Sequence, residues 1–333
     1  MNLHDLPTPA LLIDVDALDH NLATMAAARP GTQLRPHVKA HKCTTLAAAQ
    51  VAVGHTRFTC ATPHEVVGMA AAGVGDDLLL ANETIDPVRL AAMAAVQDRV
   101  RITVAVDSPE TIDAAASAGI REVLIDVDIG LPRCGCPPDQ AGHLADLARS
   151  RGLHVRGTMG YEGHLMAVVD RDVQRQRVSA AIGVLLAAHA DVGGELVSSG
   201  GTGTYDIHPD TIEVQAGSYA LMDTHYARLH LPFQQACFVL GTVIAARPTR
   251  AVADVGLKAL GMDHGNPSID GADVSFCSDE HVTFVPNVGV AAVGDRVQVI
   301  PAHIDPTMAM HDAAWLVRGS EVLDRWPIDL RGW

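Results

Sequence analysis

The amino-acid sequence predicts an α/β protein in which a (β/α)8 barrel is followed by a C-terminal antiparallel β domain. Over the first two-thirds of the chain, short β-rich runs alternate with Ala- and Leu-rich runs of helical spacing. Such alternation requires parallel strands joined by crossover helices. In the last third, strand-like runs follow one another directly, separated by Gly, Pro and Asn-Pro turns, which is typical of an antiparallel sheet. We therefore expect the barrel at residues 16–232 and the β domain at residues 1–15 plus 233–333.

Helix boundaries support the barrel. Thr62, Asp86 and Ser108 each place a capping side chain before a proline in the first helical turn. Gly73 and Gly119 suit the left-handed residue that closes a helix. Eight runs predict a closed barrel, although an open doubly wound sheet produces a similar pattern. The predicted strands are Leu34–Val38, Arg57–Cys60, Asp77–Leu80, Ile102–Val106, Glu122–Val127, Val155–Met159, Glu195–Ser199 and Ile212–Gln215.

The β domain is predicted from about Ala236 onward, with no helix between its strands. The run Ala10–Val15 could join either domain. The predicted strands of this domain are Phe238–Ala245, Val274–Phe276, His281–Val285, Arg296–Ile300, Ala314–Val317 and Glu321–Trp326.

Composition and charge exclude several classes of protein. The 333 residues are 48% hydrophobic and 19% charged, which is enough apolar material for a large core. The net charge of −15 disfavours binding to nucleic acid or to an anionic membrane. No apolar run approaches the roughly 20 residues that span a bilayer, and Met1–Pro9 does not resemble a secretory signal. The six scattered cysteines fit a reducing compartment. We expect a cytoplasmic protein that binds a small molecule.

A basic cluster ends the first predicted barrel strand, where barrels of this kind carry their active sites. Lys39 lies there among Arg35, His37, His41 and Lys42. Like charges and partial burial disfavour the ammonium form of a lysine, which makes it a usable amine nucleophile near neutral pH. The alternative is a basic, solvated turn.

Two glycine-containing segments follow the seventh and eighth predicted strands, at Ser198–Thr204 and Gln215–Tyr219. Glycines let backbone N–H groups close around an anion, and hydroxyl groups add further donors. The loops after strands seven and eight are the usual phosphate position of this barrel. The sequence therefore predicts a phosphate site beside the candidate lysine.

A second candidate site lies in the β domain, at His303 and Asp305. If this segment is a strand, positions i and i+2 face the same side and could converge on one cation. A carboxylate with an imidazole suits Mn²⁺ or Mg²⁺, whereas a thiolate in the second position would favour Zn²⁺.

These motifs carry a family resemblance. Thr8–Asp14, Asn21 and Arg35–Lys42 resemble the N-terminus of the alanine-racemase-type, fold type III pyridoxal-phosphate enzymes, within them the D-threonine aldolase and D-serine dehydratase branch. The resemblance implies that Lys39 forms a Schiff base with pyridoxal 5′-phosphate. It further implies cofactor contacts from Arg133, Tyr161, Gly201, Thr202, Gly217, Ser218 and Tyr219.

In that branch, the position of His303 and Asp305 holds a divalent metal. The aldolases resemble the carboxylate pattern and the dehydratases a His-x-Cys pattern, so this chain resembles an aldolase that uses Mn²⁺ or Mg²⁺ rather than Zn²⁺. Asp279 and His281 resemble a motif near the metal. The implied reaction is retro-aldol cleavage of a β-hydroxy-D-amino acid, of the D-threonine or 3-hydroxy-D-aspartate type, to glycine and an aldehyde. His41 or a metal-bound water is the candidate base.

Three different functions also remain open at this point. A dehydratase on the same scaffold would release an oxo acid and ammonia. A pyridoxal-phosphate carrier resembles the barrel but lacks the β domain. A racemase needs a second base, usually a tyrosine of the β domain, and the last of the four tyrosines is Tyr226. By analogy with the family we also expect a homodimer.

Overall fold

The protein is described by a computed structural model, which covers residues 1–332. The helices α1–α9 span Val15–Ala28, Thr44–Ala52, Pro63–Ala72, Pro87–Ala94, Pro109–Ser117, Ala141–Ser150, Arg171–Val192, Thr224–Ala227 and Ile304–Met310. The strands β1–β16 span Ala10–Asp14, Arg57–Cys60, Asp77–Leu80, Arg101–Val106, Glu122–Asp126, His154–Met159, Leu196–Ser199, Glu213–Val214, Cys237–Arg247, Arg250–Ala253, Ser268–Ile269, Ala272–Cys277, Val282–Pro286, Arg296–Ile300, Ala313–Arg318 and Glu321–Pro327.

The chain divides into two compact units, each with its own sheet. What we call the barrel unit comprises Met25–Lys39 and Leu46–Gly217. The β unit comprises Met1–Thr24, Ala40–Thr45 and Ser218–Arg331. Among residues 1–332, no helix has both the length and the apolar character to cross a membrane.

Seven parallel strands, β2 to β8 in sequence order, form the sheet of the barrel unit. The predicted first strand is not a regular strand. Leu34 forms an isolated parallel bridge with Val214, and His37 forms one with Thr59. These bridges still connect β8 to β2 and close the barrel. Pro36 explains the irregularity, because it has no N–H group to donate to a continuous ladder.

The helix boundaries predicted for the barrel unit are confirmed. The side chains of Thr62, Asp86 and Ser108 each accept hydrogen bonds from backbone N–H groups in the first turn of α3, α4 and α5. Gly73 closes α3 in the left-handed conformation, with φ of 67°. These local signals set the helices that place successive strand ends on one rim of the barrel.

The sheet of the β unit has nine strands in the order β10-β13-β12-β11-β14-β9-β1-β15-β16. An additional pairing of β10 with β9 closes the first six strands of that order into an antiparallel barrel. The run Ala10–Asp14 joins this sheet as β1 and pairs parallel with β15. The predicted (β/α)8 barrel followed by an antiparallel β domain is therefore confirmed.

Two details of the β domain were predicted wrongly. Arg250–Ala253 and Ser268–Ile269 are strands that the sequence did not reveal, and Ile304–Met310 is a helix where none was expected. Pro306 lies in the first turn of that helix, where its missing N–H group costs no hydrogen bond. The His303–Thr307 segment therefore begins a helix rather than continuing a strand.

A buried ionic network lies at the end of the barrel where β3 and β8 begin. The Arg35 guanidinium pairs with Asp77 at 3.1 Å and with Glu213 at 2.6 Å. Arg156 pairs with the other oxygen of Asp77 at 2.8 Å. The sequence predicted Arg35 as one of the positive charges around Lys39. The guanidinium of Arg35 is buried and is paired with carboxylates that are distant in sequence.

We expect Asp77→Ala to lower the free energy of unfolding by about 3–5 kcal/mol, because the substitution leaves buried guanidinium groups with too few partners. Burial by itself would raise the pKa of Asp77, but Arg35 and Arg156 outweigh it and hold that pKa well below its usual range. In the unfolded chain the pKa of an aspartate is about 3.9. The contribution of Asp77 is therefore fully present above about pH 4 and is lost progressively as the pH falls below that value.

Urea unfolding at pH 7 and at lower pH measures both effects. The matched control is Asp98→Ala, which removes an exposed partner of Arg121 at 2.7 Å and should cost less than about 1 kcal/mol. Equal losses for the two variants would contradict the assignment of the network.

Candidate active site

The carboxyl-terminal ends of the barrel strands bring the predicted phosphate loops together. The His37 N–H group donates to the Ala216 carbonyl at 3.0 Å, and the Gln215 N–H group donates to the Ser199 carbonyl at 3.0 Å. His37, two residues before Lys39, is therefore a direct neighbour of Ala216, which precedes Gly217. Gln215 is likewise a direct neighbour of Ser199, where the loop after β7 starts. Lys39 lies in a single 3₁₀ turn, Val38–Ala40, with its side chain partly buried.

Glycine is required in the loop after β7 for steric reasons. A Cβ atom on Gly200 would lie 2.7 Å from His208 Nε2, and the φ of Gly200 is +84°. A Cβ atom on Gly201 would lie 2.8 Å from Met166 Sδ. Gly201 and Thr202 are both buried. The loop is therefore a narrow, glycine-dependent turn, which is the form that closes around a phosphate.

Arg133 and Tyr161 come together in the barrel unit, as predicted from their positions after β5 and β6. The Arg133 guanidinium carbon lies 5.6 Å from the centroid of the Tyr161 ring, within the range of a cation–π contact. Arg133 is exposed and Tyr161 is partly buried.

An acidic cluster beside Arg133 was not predicted from the sequence. Glu83, Asp107 and Cys134 offer ligand atoms within 4.8 Å of one another. Burial, and then Glu83, raise the pKa of Asp126 well above its usual range. Burial and Glu83 likewise raise the pKa of Cys134 to about 12. The sequence contained one signal for this cluster. Glu83 follows β3, Asp107 follows β4 and Asp126 ends β5, so the three acids lie at the ends of neighbouring strands.

In the β unit, His303 and Asp305 lie together, but not in the way the sequence predicted. His303 is the residue before α9 and Asp305 lies in the first turn of that helix. His303 Nε2 lies 3.9 Å from Asp305 Oδ1. The two side chains thus converge because a helix begins between them, and the argument from strand periodicity was wrong.

Asp263 is the partner of His303 that sequence reasoning missed. The two oxygens of its carboxylate lie 2.9 and 2.8 Å from His303 Nδ1. An Nδ1–H group that donates to a carboxylate leaves Nε2 as the lone-pair atom of a neutral imidazole. His303 Nε2 can therefore act as a ligand on the side where Asp305 lies.

Two more imidazoles stack beside His303. The ring of His264 lies 4.0 Å from that of His303, and the ring of His225 lies 4.1 Å from that of His264. Burial, and then the neighbouring His264, lower the pKa of His225 to about 4. Burial and His303 also lower the pKa of His264. His225 and His264 therefore favour the neutral form near pH 7.

The remaining predicted residues also belong to the β unit. His41 is buried, and its Nδ1 accepts a hydrogen bond from the Cys43 N–H group at 3.2 Å. Ser218 and Tyr219 lie in the buried 3₁₀ turn Ser218–Ala220. Of the two residues predicted to lie near the metal, Asp279 makes an ion pair with Lys258, and His281 is exposed.

The fold and these two sites can be compared with known proteins. The family model described as "Alanine racemase, N-terminal domain" matches residues 13–225, and a serine dehydratase domain model matches residues 236–317. The chain is 32% identical to a D-threonine aldolase of Arthrobacter sp, over 98% of this chain and 93% of that protein. It is 30% identical to a 3-hydroxy-D-aspartate aldolase of Paracoccus denitrificans, over 100% and 94% of the two chains.

A solved structure agrees with these matches. The crystal structure of D-threonine aldolase from Filomicrobium marinum has a TM-score of 0.92 against this chain, at 34% identity over 99% of this chain and 97% of that one.

Proposed function

Because this chain belongs to the family of the alanine racemase N-terminal domain, we propose that it is a pyridoxal-phosphate- and divalent-metal-dependent aldolase that cleaves β-hydroxy-D-amino acids to glycine and an aldehyde. The family resemblance predicted from the sequence is confirmed. The relatives are named as D-threonine aldolase and 3-hydroxy-D-aspartate aldolase, which are the activities predicted for this chain. This chain is a lyase, as those aldolases are. The observation that favours the aldolase is the pair of His303 Nε2 and the Asp305 carboxylate.

The barrel unit fits the proposed cofactor. Lys39 supplies the amine that would hold it, and the buried loop after β7 supplies a narrow turn in which a Cβ atom on Gly201 would lie 2.8 Å from Met166 Sδ. Gly201, Thr202 and Gly217, with Ser218 and Tyr219 beyond them in sequence, are the proposed contacts to the phosphate. Pyridoxal phosphate, when bound, supplies a ring that accepts electrons from the bond that breaks.

Arg133 and Tyr161 are the proposed contacts to the cofactor ring. Their mutual contact restricts both side chains, so that each can orient the ring at little further loss of conformational entropy. A guanidinium group donates hydrogen bonds but cannot accept a proton. His41 or a metal-bound water is the proposed base for the substrate hydroxyl. The Cys43 N–H group donates to His41 Nδ1 at 3.2 Å, which fixes the orientation of the imidazole.

The β unit fits the proposed divalent cation. His303 Nε2 and the carboxylate of Asp305 would hold it, and oxygen with a single nitrogen is a donor set for Mn²⁺ or Mg²⁺ in preference to Zn²⁺. Such a cation, when bound, supplies a Lewis acid for a hydroxyl oxygen of the substrate. The imidazole of His303 keeps its orientation through Asp263.

We expect Asp263→Ala to lower the affinity for Mn²⁺ by about 10–100-fold, because His303 loses the acceptor that sets its tautomer and ring orientation. Titration of Mn²⁺ followed by electron paramagnetic resonance measures the effect directly. Asp270→Ala, an exposed aspartate of the same unit, is the control and should bind Mn²⁺ as the wild type does. Unchanged affinity in Asp263→Ala would show that Asp263 does not support a ligand.

A product assay tests the proposed reaction. The purified protein, loaded with pyridoxal phosphate and Mn²⁺, is incubated with D-threonine, D-allothreonine, 3-hydroxy-D-aspartate and their L-enantiomers. Glycine and an aldehyde from the D-substrates alone support the proposal. A 2-oxo acid and ammonia would instead identify a dehydratase.

A cofactor carrier and a racemase are both less well supported than the aldolase. A carrier related to the barrel alone does not account for the closed barrel of the β unit or for its match to the serine dehydratase domain. A racemase needs a second base, and no tyrosine occurs in the sequence from β9 onward.

We also propose that the protein is a cytoplasmic homodimer with no nucleic-acid or membrane partner. The six cysteines, all within residues 1–332, form no disulfides, as is usual in reducing compartments.

Three exposed valines support the proposed dimer. Between β13 and β14, Val288, Val290 and Val293 are 90%, 77% and 67% exposed. A second copy that covered them would remove apolar surface from water. Size-exclusion chromatography with light scattering should show twice the chain mass, and an active monomer would contradict the proposal.

A further inference from the structure

A buried carboxylate contacts the proposed phosphate loop and has no part in the proposed chemistry. Glu162, in the connection between β6 and α7, has no exposed surface. Its Oε2 atom accepts from the Ser199 hydroxyl at 3.0 Å and from the Gly200 N–H group at 3.2 Å, where the loop begins. Its Oε1 atom accepts from the Thr204 hydroxyl at 2.8 Å, where the loop ends. One side chain thus joins the two ends of the loop.

His208 completes the contacts of this carboxylate. Its Nε2 lies 2.8 Å from Glu162 Oε1, and both side chains are wholly buried. Within residues 1–332, His208 Nδ1 is buried and has no hydrogen-bond partner. The ring is therefore oriented through Nε2, which contacts Glu162 and, at 3.3 Å, the Thr204 hydroxyl. The same ring excludes a side chain at position 200, because a Cβ atom on Gly200 would lie 2.7 Å from His208 Nε2. Glu162 therefore holds both the loop and the residue on which the loop packs.

The charge of Glu162 is retained in spite of its burial. Burial by itself would raise the pKa of this carboxyl group, but the hydrogen bonds, that from His208 foremost, lower it below its usual range. A charged acceptor forms stronger hydrogen bonds than a neutral one. Both oxygens of the carboxylate accept hydrogen bonds from the loop or from His208. The charge of Glu162 therefore strengthens the hydrogen bonds that hold the loop.

Other buried groups hold the last part of the loop and the segment that follows it. Arg29 donates to the Tyr205 carbonyl at 2.8 Å and also to the carbonyl of His208. Gln174, on α7, donates to the Gly203 carbonyl at 3.1 Å. These contacts fix the outer part of the loop, whereas Glu162 bonds to both of its ends. The shape of the turn therefore depends on this carboxylate.

A loop rich in glycine is flexible unless it is held, and binding a phosphate to a flexible loop costs the entropy of ordering it. We propose that Glu162 is a positioning residue for the cofactor phosphate, which it serves by holding Gly200–Thr204 in the binding shape before the phosphate arrives. This inference rests on the proposed function, since it takes the phosphate to be that of pyridoxal phosphate. The inference predicts that Glu162 raises the affinity for the phosphate group of the cofactor and does not change the affinity for its ring.

The test compares two ligands that differ only in the phosphate. Apoenzyme is titrated with pyridoxal phosphate and with pyridoxal, and binding is followed by absorbance and by protein fluorescence. In Glu162→Gln we expect the dissociation constant for pyridoxal phosphate to rise by about tenfold or more, the effect of losing hydrogen bonds to a charged group. The constant for pyridoxal should change by less than about twofold. Stabilisation of the apoenzyme by inorganic phosphate should weaken in parallel.

Glu65→Gln is the matched control, because Glu65 is also wholly buried in the barrel unit and accepts from a loop N–H group, that of Ala61 at 2.6 Å. It should leave the ratio of the two affinities unchanged. If Glu162→Gln does not fold, Ser199→Ala and Thr204→Val each remove one donor to Glu162, and each should lower the preference for the phosphorylated ligand several-fold.

The outcomes separate the inference from the function on which it rests. A wild-type protein that does not prefer pyridoxal phosphate to pyridoxal contradicts the proposed function itself. A wild-type preference that Glu162→Gln, Ser199→Ala and Thr204→Val all retain overturns the positioning role alone. Equal weakening of both ligands overturns it as well, because a general structural defect would not distinguish them.

Discussion

Replacing Lys39 by alanine is expected to abolish turnover, with a loss of about 10⁴-fold or more, and to remove the visible absorbance of bound pyridoxal phosphate. The reason is that the proposed role of Lys39 is covalent, and no neighbouring group can replace an amine that is the point of attachment. The chain holds only three lysines, at positions 39, 42 and 258, so few amines compete for that role.

Absorbance spectra and the product assay measure the effect of Lys39→Ala. Borohydride reduction of the wild-type protein followed by peptide mapping identifies the attached lysine independently. Lys258→Ala is the control, because Lys258 is exposed and its Nζ pairs with Glu280 at 3.0 Å on the surface. Attachment at Lys42 or Lys258, or turnover that survives Lys39→Ala, would contradict the assignment.

Asp305→Asn is expected to leave the bound cofactor unchanged and to lower metal-stimulated turnover by about 10²-fold or more. Asparagine keeps the size of the side chain but removes the negative charge, so His303 Nε2 would lose its anionic partner in the site. Asp305→Cys provides a chemical test of the same position. A thiolate is a softer ligand, so this variant should shift the preference from Mn²⁺ toward Zn²⁺.

Turnover after chelator treatment and readdition of each metal separates these effects. The control is Asp270→Asn, an exposed aspartate of the β unit, which should respond to metals as the wild type does. Full cleavage activity in excess chelator would exclude a metal role for His303 and Asp305. A metal preference that is unchanged in Asp305→Cys would mean that this side chain is not a ligand.

Local chemistry decided much of what the sequence could predict. The capping groups at Thr62, Asp86 and Ser108 act on N–H groups within their own helices, so their effect is visible in a few consecutive residues. The alternation of strands and helices likewise follows from hydrophobic spacing along the chain. The candidate phosphate loop and Lys39 were predicted in the same way, because both lie where predicted strands end.

The sequence by itself therefore determined the barrel, the β domain, the family and the positions of the candidate lysine and metal pair. Only the tertiary structure decided which charges act together. Arg35 lies beside Lys39 in sequence but pairs with Glu213, Asp263 orients His303, and Glu162 joins the two ends of a loop that lies beyond the next helix. The physical reason is that such pairs are selected by burial and distance in the folded chain, and the separation of their members along the sequence carries no periodicity that would reveal them.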